Sequence, residues 1–146
     1  MDIELIAVET AEFEKLFTAV KQGLYKHIEE VFGWDDDFQR DRLQSSYEQA
    51  WFHWLVEKGE RVGLVCFKRY DNALHLHLLI VFPDRQRQRV GLRVMERLRD
   101  IATKEGREAL TLSSFVVNKQ AVKFYQRLGY EVTESDAQFL SMKLLL

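Results

Sequence analysis

The sequence predicts a single α/β (α+β) domain, with about four helices flanking a mixed, mostly antiparallel sheet of about seven strands. Three observations support this fold class. The chain has 146 residues, enough for one domain with a hydrophobic core. Apolar residues alternate in some stretches and recur at helical spacing in others. The strand–helix–strand unit within Ala73–Val117 implies one parallel pair of strands, whereas the earlier strands are joined by hairpin turns.

Composition narrows the class of protein. The chain is 47% hydrophobic and 30% charged, as is typical of soluble globular proteins. A net charge of -2 argues against a molecule that binds nucleic acid through its overall charge. Cys66 lies in an apolar stretch and is expected to be a buried, inert thiol. Since neither a signal peptide nor a bilayer-length apolar run is evident, we expect a cytoplasmic protein.

The first elements are a strand and a long helix. Residues Ile3–Ala7 alternate as in a short strand. We expect Thr10 to be the N-cap of a helix that begins at Ala11, because its hydroxyl can accept a backbone N–H. Gly23 is a possible kink, and Gly33 is a possible C-cap glycine at the end of the helix.

An acidic segment then begins the second helix, which we expect over about Asp36–Ser46. Three aspartates, Asp35, Asp36 and Asp37, follow Trp34 and favour the positive end of a helix dipole. This cluster has two interpretations. It caps a helix beside a packed tryptophan, or it forms part of a site for a cationic amine.

The middle of the chain predicts three strands, and its second half predicts two helices and three further strands. The tight turns lie at Lys58–Gly59–Glu60 and Asp71–Asn72. The strands are Trp51–Val56, Arg61–Tyr70 and Ala73–Phe82, then Leu110–Val117, Tyr130–Thr133 and Gln138–Leu145. One helix carries the stripe Leu92, Met95, Leu98 and ends near Gly106, and the other is capped by Asn118 and followed by Gly129.

The stretch Val81–Leu98 joins the end of a strand to the start of a helix through a loop rich in Arg and Gln. Backbone N–H groups at such a helix start can bind phosphate, with the helix dipole behind them. Six arginines between Arg85 and Arg99 make the local charge positive. The loop is therefore either a site for a phosphate-bearing ligand or an ordinary turn with a solvated basic face.

Two motifs in this order resemble the GCN5-related N-acetyltransferase (GNAT) superfamily over nearly the whole chain. The loop is similar to the family pattern Q/R-x-x-G-x-G/A, since Gln86 and Gly91 match and Arg89 stands at the first glycine. The segment Asn118–Tyr130 matches N-x-x-A-x-x-F-Y-x-x-x-G-F/Y at every marked position. The resemblance implies acetyl-CoA as co-substrate, no metal, and a primary amine of a small molecule or peptide that attacks the thioester directly.

The resemblance also implies which residues contact acetyl-CoA. Backbone N–H groups beside a bulge at the end of the strand would polarise the thioester carbonyl. The loop and the first helical turn would bind the pyrophosphate. The implied cofactor-binding residues are Leu79, Ile80, Val81, Gln86, Arg87, Gln88, Arg89, Val90, Gly91, Leu92, Asn118 and Tyr125.

Arg89 departs from the family pattern. A glycine permits close approach of the backbone to the pyrophosphate, so that an arginine could crowd the ligand. We expect instead that Arg89 has the ordinary dihedral angles of a helix start, with its guanidinium adding contacts to phosphate. The alternative is a domain of this fold that has lost cofactor binding.

Three residues are candidates for catalysis. Tyr125 holds the position of the family's general acid, which protonates the departing thiolate; from the residues alone it would be a packed aromatic. His75 and His77 lie on one face of a strand and match the His-x-His proton relay of arylalkylamine N-acetyltransferases. They are either this base or relay, or core histidines bonded to backbone or neighbouring rings. Two imidazoles without a third ligand do not indicate a metal site.

Other functions remain open from the sequence. The alternative is a GNAT-fold binding module without catalysis, which binds a phosphate-rich ligand or RNA through the arginine-rich loop. The patterns G-x-x-x-x-G-K-[ST] and G-x-G-x-x-G are absent, which disfavours another class of nucleotide-binding enzyme.

Nucleic acid and membrane are not expected partners. A monomer or homodimer is expected, with Gln138–Leu145 able to extend a sheet across a dimer. The candidates for the wall of the site that binds the amine acceptor are Trp34, Asp35, Asp36, Asp37 and the strand Trp51–Trp54.

Overall fold

The computed structural model describes residues 2–146 and has the element order that the sequence predicts. The helices are α1 (Phe13–Val31), α2 (Asp36–Ser45), α3 (Val90–Lys104) and α4 (Lys119–Arg127). The strands are β1 (Glu4–Ala7), β2 (Phe52–Glu57), β3 (Glu60–Tyr70), β4 (Ala73–Val81), β5 (Ala109–Phe115), β6 (Glu131–Ser135) and β7 (Phe139–Leu145). The predicted bounds differ from these by a few residues at the ends of elements.

The strands form a seven-stranded sheet in the order β1-β2-β3-β4-β5-β7-β6. The strands β4 and β5 are parallel neighbours, with His75 opposite Thr111 and Leu76 opposite Leu112. Pairing is antiparallel between β1 and β2, β2 and β3, β5 and β7, and β6 and β7. The predicted mixed, mostly antiparallel α/β fold is therefore confirmed.

The chain folds as two compact units, the first of which contains the residues up to Cys66 together with Leu78–Met95. In its core, α1 and α2 pack against β2, β3 and the end of β4. The buried side chains include Leu16, Phe17, Val20, Leu43, Phe52, Trp54, Leu64, Cys66, Leu78 and Ile80. Burial raises the pKa of the Cys66 thiol well above its ordinary value, which agrees with the inert thiol that the sequence predicts.

Two glycines bring other elements close to Ile80 in this unit. A Cβ on Gly23 of α1 would lie 2.7 Å from the Ile80 side chain, and a Cβ on Gly63 of β3 would lie 2.2 Å from the Ile80 carbonyl oxygen. The helix does not break at Gly23, because α1 is one helix from Phe13 to Val31, and the kink at this residue stays a prediction. Gly23 is the point where α1 has no side chain and packs directly on β4.

The start of α1 also differs from the prediction. Residues Thr10–Glu12 form a 3₁₀ turn, and α1 follows at Phe13. The turn is closed by Glu12, whose carboxylate accepts the Glu9 N–H at 3.1 Å. Thr10 therefore lies inside the turn and does not cap the helix. The other caps are confirmed, since Asp35 accepts the Phe38 N–H at 3.0 Å and Gly33 follows α1 with φ +80°.

The second unit contains Phe67–His77 and Glu96–Leu146. Its buried residues come from β4, α3, β5, α4 and β7 and include Leu74, Leu76, Leu98, Ala102, Leu110, Leu112, Tyr125 and Met142. The Asn118 side chain accepts the Ala121 N–H at 3.2 Å, and Gly129 follows α4 with φ +99°, as predicted. Strand β7 lies between β5 and β6, so the predicted extension of a sheet through Gln138–Leu145 is wrong. The edge strands of the sheet are β1 and β6.

Candidate functional site

The first unit presents a short loop between the end of β4 and the start of α3. The Phe82 N–H donates to the Val62 carbonyl at 2.9 Å and holds the end of the strand on β3. Pro83–Arg85 form a 3₁₀ turn, and the Gln86 side chain donates to the Val81 carbonyl at 3.1 Å. The loop is therefore tied to the end of β4, the strand that precedes it, and the Gln86 side chain makes part of that link.

Two arginines of this loop have left-handed backbone conformations. The φ angle is +66° at Arg87 and +62° at Arg89. The expectation of ordinary helix-start dihedral angles at Arg89 is wrong, because its backbone has the conformation that favours glycine. Arg89 stands where the family pattern has glycine, and in this chain the arginine has a left-handed φ.

The loop leads directly into the first turn of α3. The Arg93 N–H donates to the Arg89 carbonyl at 3.1 Å, which begins the ladder of the helix. The preceding N–H groups, those of Val90, Gly91 and Leu92, have no acceptor one turn back within the helix. Alternating signs of φ in a loop gather N–H groups around an anion, and the helix dipole adds to the attraction. This geometry suits a phosphate.

The arginines of this region divide into two groups. Arg85 is paired with Glu60, and Arg93 is paired with Glu57. Arg93 also reaches the carbonyl oxygens of Gln88 and Arg89, each at 3.4 Å. Within residues 2–146, the exposed side chains of Arg87 and Arg89 make no ion pair or hydrogen bond. Two guanidinium groups are thus available to an anion, while Arg93 and Glu57 hold the loop.

The end of β4 carries the residues predicted to polarise a carbonyl group. Leu79 and Val81 are half-buried and Ile80 is buried, in the alternation that runs along the whole strand. The Ile80 side chain lies under Gly23, so this part of the strand is held in place by α1. The bulge expected at Leu79–Val81 stays a prediction.

The second unit brings His75 and His77 together. Both side chains are half-buried on one face of β4, and their rings meet edge to face with centroids 4.8 Å apart. The Nδ1 atom of His75 lies 2.7 Å from the hydroxyl oxygen of Thr111 on β5. Burial, and then the positive charge of Lys68, lower the pKa of His75 below its ordinary value. His75 is therefore neutral at neutral pH, the form in which an imidazole accepts a proton.

Tyr125 lies in the same unit and is 8% exposed. Its ring contacts those of Phe124 and Tyr130, with centroids 5.1 and 5.8 Å away. Burial raises the pKa of its hydroxyl above the ordinary value, so Tyr125 stays protonated and able to donate. The packing expected of an amphipathic helix is present, and the role of general acid stays a prediction.

The acidic segment before α2 is tied into local contacts. Asp35 caps the helix, and Asp36 accepts both the Trp34 ring N–H at 2.6 Å and the Lys21 ammonium at 2.8 Å. These contacts support the interpretation as a helix cap beside a packed tryptophan. The hypothesis that this segment forms a wall of the site for the amine acceptor stays a hypothesis.

Sequence reasoning missed three residues of these sites. Glu57 and Arg93 hold the loop, and Thr111 contacts His75. A threonine in a strand gives no signal by itself, and the pairing of Thr111 with His75 depends on the register of two strands that are distant in sequence. Among residues 2–146, no helix is long and apolar enough to cross a membrane. No group of three or more His, Cys, Asp or Glu side chains there could hold a metal ion.

Known proteins share this fold. A PaiA N-acetyltransferase from Thermoplasma acidophilum in complex with coenzyme A superposes with a TM-score of 0.78, at 16% sequence identity over 100% of both chains. The ribosomal-protein-S18-alanine N-acetyltransferase from Escherichia coli superposes with a TM-score of 0.71, at 19% identity over 98% of this chain and 93% of that one. At these identities, the likeness concerns the fold.

Sequence comparison shows the family. An uncharacterized N-acetyltransferase of Methanocaldococcus jannaschii is 28% identical over an alignment of 117 residues, and the match covers 68% of this chain and 52% of that protein. The chain thus spans about half the length of this curated relative. Residues 14–130 match the Acetyltransferase (GNAT) family. Because the match covers most of the chain and both motifs, this protein belongs to the GNAT acetyltransferase family.

Proposed function

We propose that this protein is an acetyl-CoA-dependent N-acetyltransferase, which transfers an acetyl group to a primary amine of a small molecule or peptide by direct attack on the thioester. The observation that carries the proposal is the loop before α3. It combines two left-handed residues, the open N–H groups of a helix start, and the side chains of Arg87 and Arg89 without partners among residues 2–146. These groups are complementary to a pyrophosphate.

The proposal assigns a binding role to each part of this loop. Backbone N–H groups of Gln88–Leu92 would bind the pyrophosphate, and Arg87 and Arg89 would add charge-assisted contacts. Gln86 would keep the loop attached to the end of β4 through the Val81 carbonyl. Backbone N–H groups within Leu79–Val81 would polarise the carbonyl to be attacked. Acetyl-CoA, when bound, supplies the activated acetyl group.

The proton transfers are assigned to residues of the second unit. His75, with His77 beside it, would take a proton from the acceptor's ammonium group, directly or through water, so that the neutral amine attacks the thioester. Tyr125 would donate a proton to the departing thiolate, since its hydroxyl is held protonated by burial. Asn118 would contact acetyl-CoA at the start of α4, where its side chain also caps the helix. The proposal requires no metal ion and includes a cytoplasmic location.

The experiment is a panel of primary amines incubated with acetyl-CoA, with release of free thiol as the readout. Aryl amines, polyamines, aminoglycosides, amino acids and N-terminal peptides represent the classes of acceptor. We expect at least one class to give thiol release that depends on both the amine and the enzyme, and Tyr125→Phe to lower turnover by about 10²-fold. Thiol release no faster than without enzyme across the panel would contradict the proposal.

A second candidate follows from the exposed arginines alone. A binding module without catalysis would use Arg87 and Arg89 to bind the phosphates of RNA. Its signature is salt-sensitive RNA binding that acetyl-CoA cannot compete away. If acetyl-CoA displaces RNA completely, the two ligands share the loop, and this result would contradict a separate RNA-binding function.

A further inference from the structure

The contact between His75 and Thr111 joins a candidate base to a neighbouring strand. The Nδ1 atom of His75 and the Oγ1 atom of Thr111 are 2.7 Å apart, which is the distance of a strong hydrogen bond. The two residues are opposite each other in the parallel pairing of β4 and β5. The sheet itself therefore fixes this contact.

The contact also limits which nitrogen of His75 can accept a proton. In a neutral imidazole, one ring nitrogen carries a proton and the other has a lone pair. The hydrogen bond that one nitrogen makes determines which of the two carries the proton. Nε2 of His75 makes no hydrogen bond within residues 2–146, and the side chain is only half-buried. When His75 becomes protonated, both nitrogens are donors, so the Thr111 oxygen must then accept from Nδ1.

A single arrangement satisfies both charge states without a change of partner. If Nδ1–H donates to Thr111 in the neutral form, the same bond persists after Nε2 takes a proton. We propose that Thr111 is a positioning residue that holds His75 in the Nδ1–H tautomer, leaving Nε2 as the proton-accepting atom. The catalytic role of this tautomer rests on the proposed function, but the tautomer itself can be measured whether or not the protein is an enzyme.

A hydroxyl partner differs from a carboxylate partner in its effect on the base. A carboxylate would stabilise the imidazolium and raise the pKa of His75, whereas an uncharged hydroxyl orients the ring without that effect. The charged and titratable groups around this contact are Lys68 on β3, His77 on β4, and Lys143, which is opposite Thr111 on β7. Lys68 further disfavours the protonated form. The surroundings thus keep His75 neutral while Thr111 fixes its orientation.

The test is ¹⁵N NMR of the histidine side chains, which distinguishes a protonated imidazole nitrogen from one with a lone pair. His75→Gln identifies the resonances of His75. We expect Nδ1–H in the unmodified protein at pH 8, a shift toward the Nε2–H form in Thr111→Val, and retention of Nδ1–H in Thr111→Ser. Thr133→Val is the matched control, because the Thr133 hydroxyl donates to the Ser141 carbonyl between β6 and β7.

The results separate the inference from the proposed function. An Nε2–H tautomer of His75 in the unmodified protein, or an Nδ1–H tautomer that Thr111→Val leaves unchanged, would overturn the role of Thr111. If an acceptor is found, Thr111→Val should lower kcat, whereas Thr111→Ser restores it. If the tautomer responds as expected and no amine is acetylated, the positioning role stands and only the catalytic function fails.

Discussion

Arg89 has a backbone conformation that costs a residue with a Cβ atom roughly 1–2 kcal/mol. We therefore predict that Arg89→Gly has a free energy of unfolding about 1 kcal/mol above that of Arg89→Ala, since alanine keeps the Cβ and glycine removes it. Urea denaturation of the two variants measures this difference. Equal stability would mean that the left-handed conformation at this position carries no cost.

The histidine pair makes a prediction about pH. Because burial and Lys68 lower the pKa of His75, its base-competent neutral form persists below the ordinary pKa of histidine, and activity is lost only as pH falls through the lowered value. Replacing both His75 and His77 by alanine should shift the acidic limb of the pH–rate profile to higher pH. The profile of kcat/KM with saturating acetyl-CoA measures this, and an unchanged profile in the double variant would reject the relay.

Individual residues show where sequence reasoning reaches its limit. Asn118, Gly129 and Gly33 were predictable because a cap depends on neighbours a few residues away. The conformation of Arg89 was not predictable, since its φ angle lies in the left-handed region that favours glycine and not arginine. Thr111 was not predictable either, because its contact is made across a parallel pair of strands.

The loop and its strand are held by elements on either side. Gly63 of β3 faces the Ile80 carbonyl, and Gly23 of α1 faces the Ile80 side chain. The sequence predicted both elements but not this packing, because a glycine in a helix is also consistent with a kink. The close approach of three elements at Ile80 is visible only once the sheet is assembled.

This packing predicts unequal effects of two alanine substitutions. Gly63→Ala would place a Cβ against the Ile80 backbone oxygen and should destabilise the protein by about 3 kcal/mol. Gly23→Ala should cost less, because a side chain can move and alanine favours the helix by about 1 kcal/mol. Free energies of unfolding for both variants measure the order. A larger loss for Gly23→Ala would contradict this account of the packing.

At the scale of the whole molecule, the sequence predicts one domain, and this stays a prediction because the chain folds as two compact units. We expect a single cooperative unfolding transition, since β3 and β4 each contribute residues to both units. Differential scanning calorimetry should give equal calorimetric and van't Hoff enthalpies. Two separate transitions would show two domains.

Carboxylates of both units predict how stability depends on pH. The backbone N–H of Glu9 and then Arg61 lower the pKa of Glu12 to about 2, and Arg69 lowers the pKa of Glu105 to about 2. Since each folded-state pKa lies below the unfolded value, the stabilisation is present above about pH 5 and is lost as pH falls toward 2. Urea midpoints should fall over this range, and Glu105→Gln should have a weaker dependence. An equal dependence in this variant would reject the contribution of Glu105.

The fold could be predicted nearly in full, because the order of elements is set by hydrophobic periodicity and by local turn residues. The candidate site could be located where it coincides with a motif, as at Gln86–Leu92, whose binding role stays a prediction. It could not be located where it depends on register or on a side chain far along the chain. Glu57 is such a case, since it is paired with Arg93 on α3.

The most direct test of the central claim is calorimetric titration with acetyl-CoA and, separately, with S-acetylpantetheine, which lacks the pyrophosphate and the adenosine. If the loop before α3 binds the pyrophosphate, acetyl-CoA binds at one site and S-acetylpantetheine binds at least about 100-fold more weakly, since each charge-assisted contact contributes roughly 1.5–3 kcal/mol. Equal affinity for the two ligands, or no binding of acetyl-CoA to the folded protein, would contradict the account.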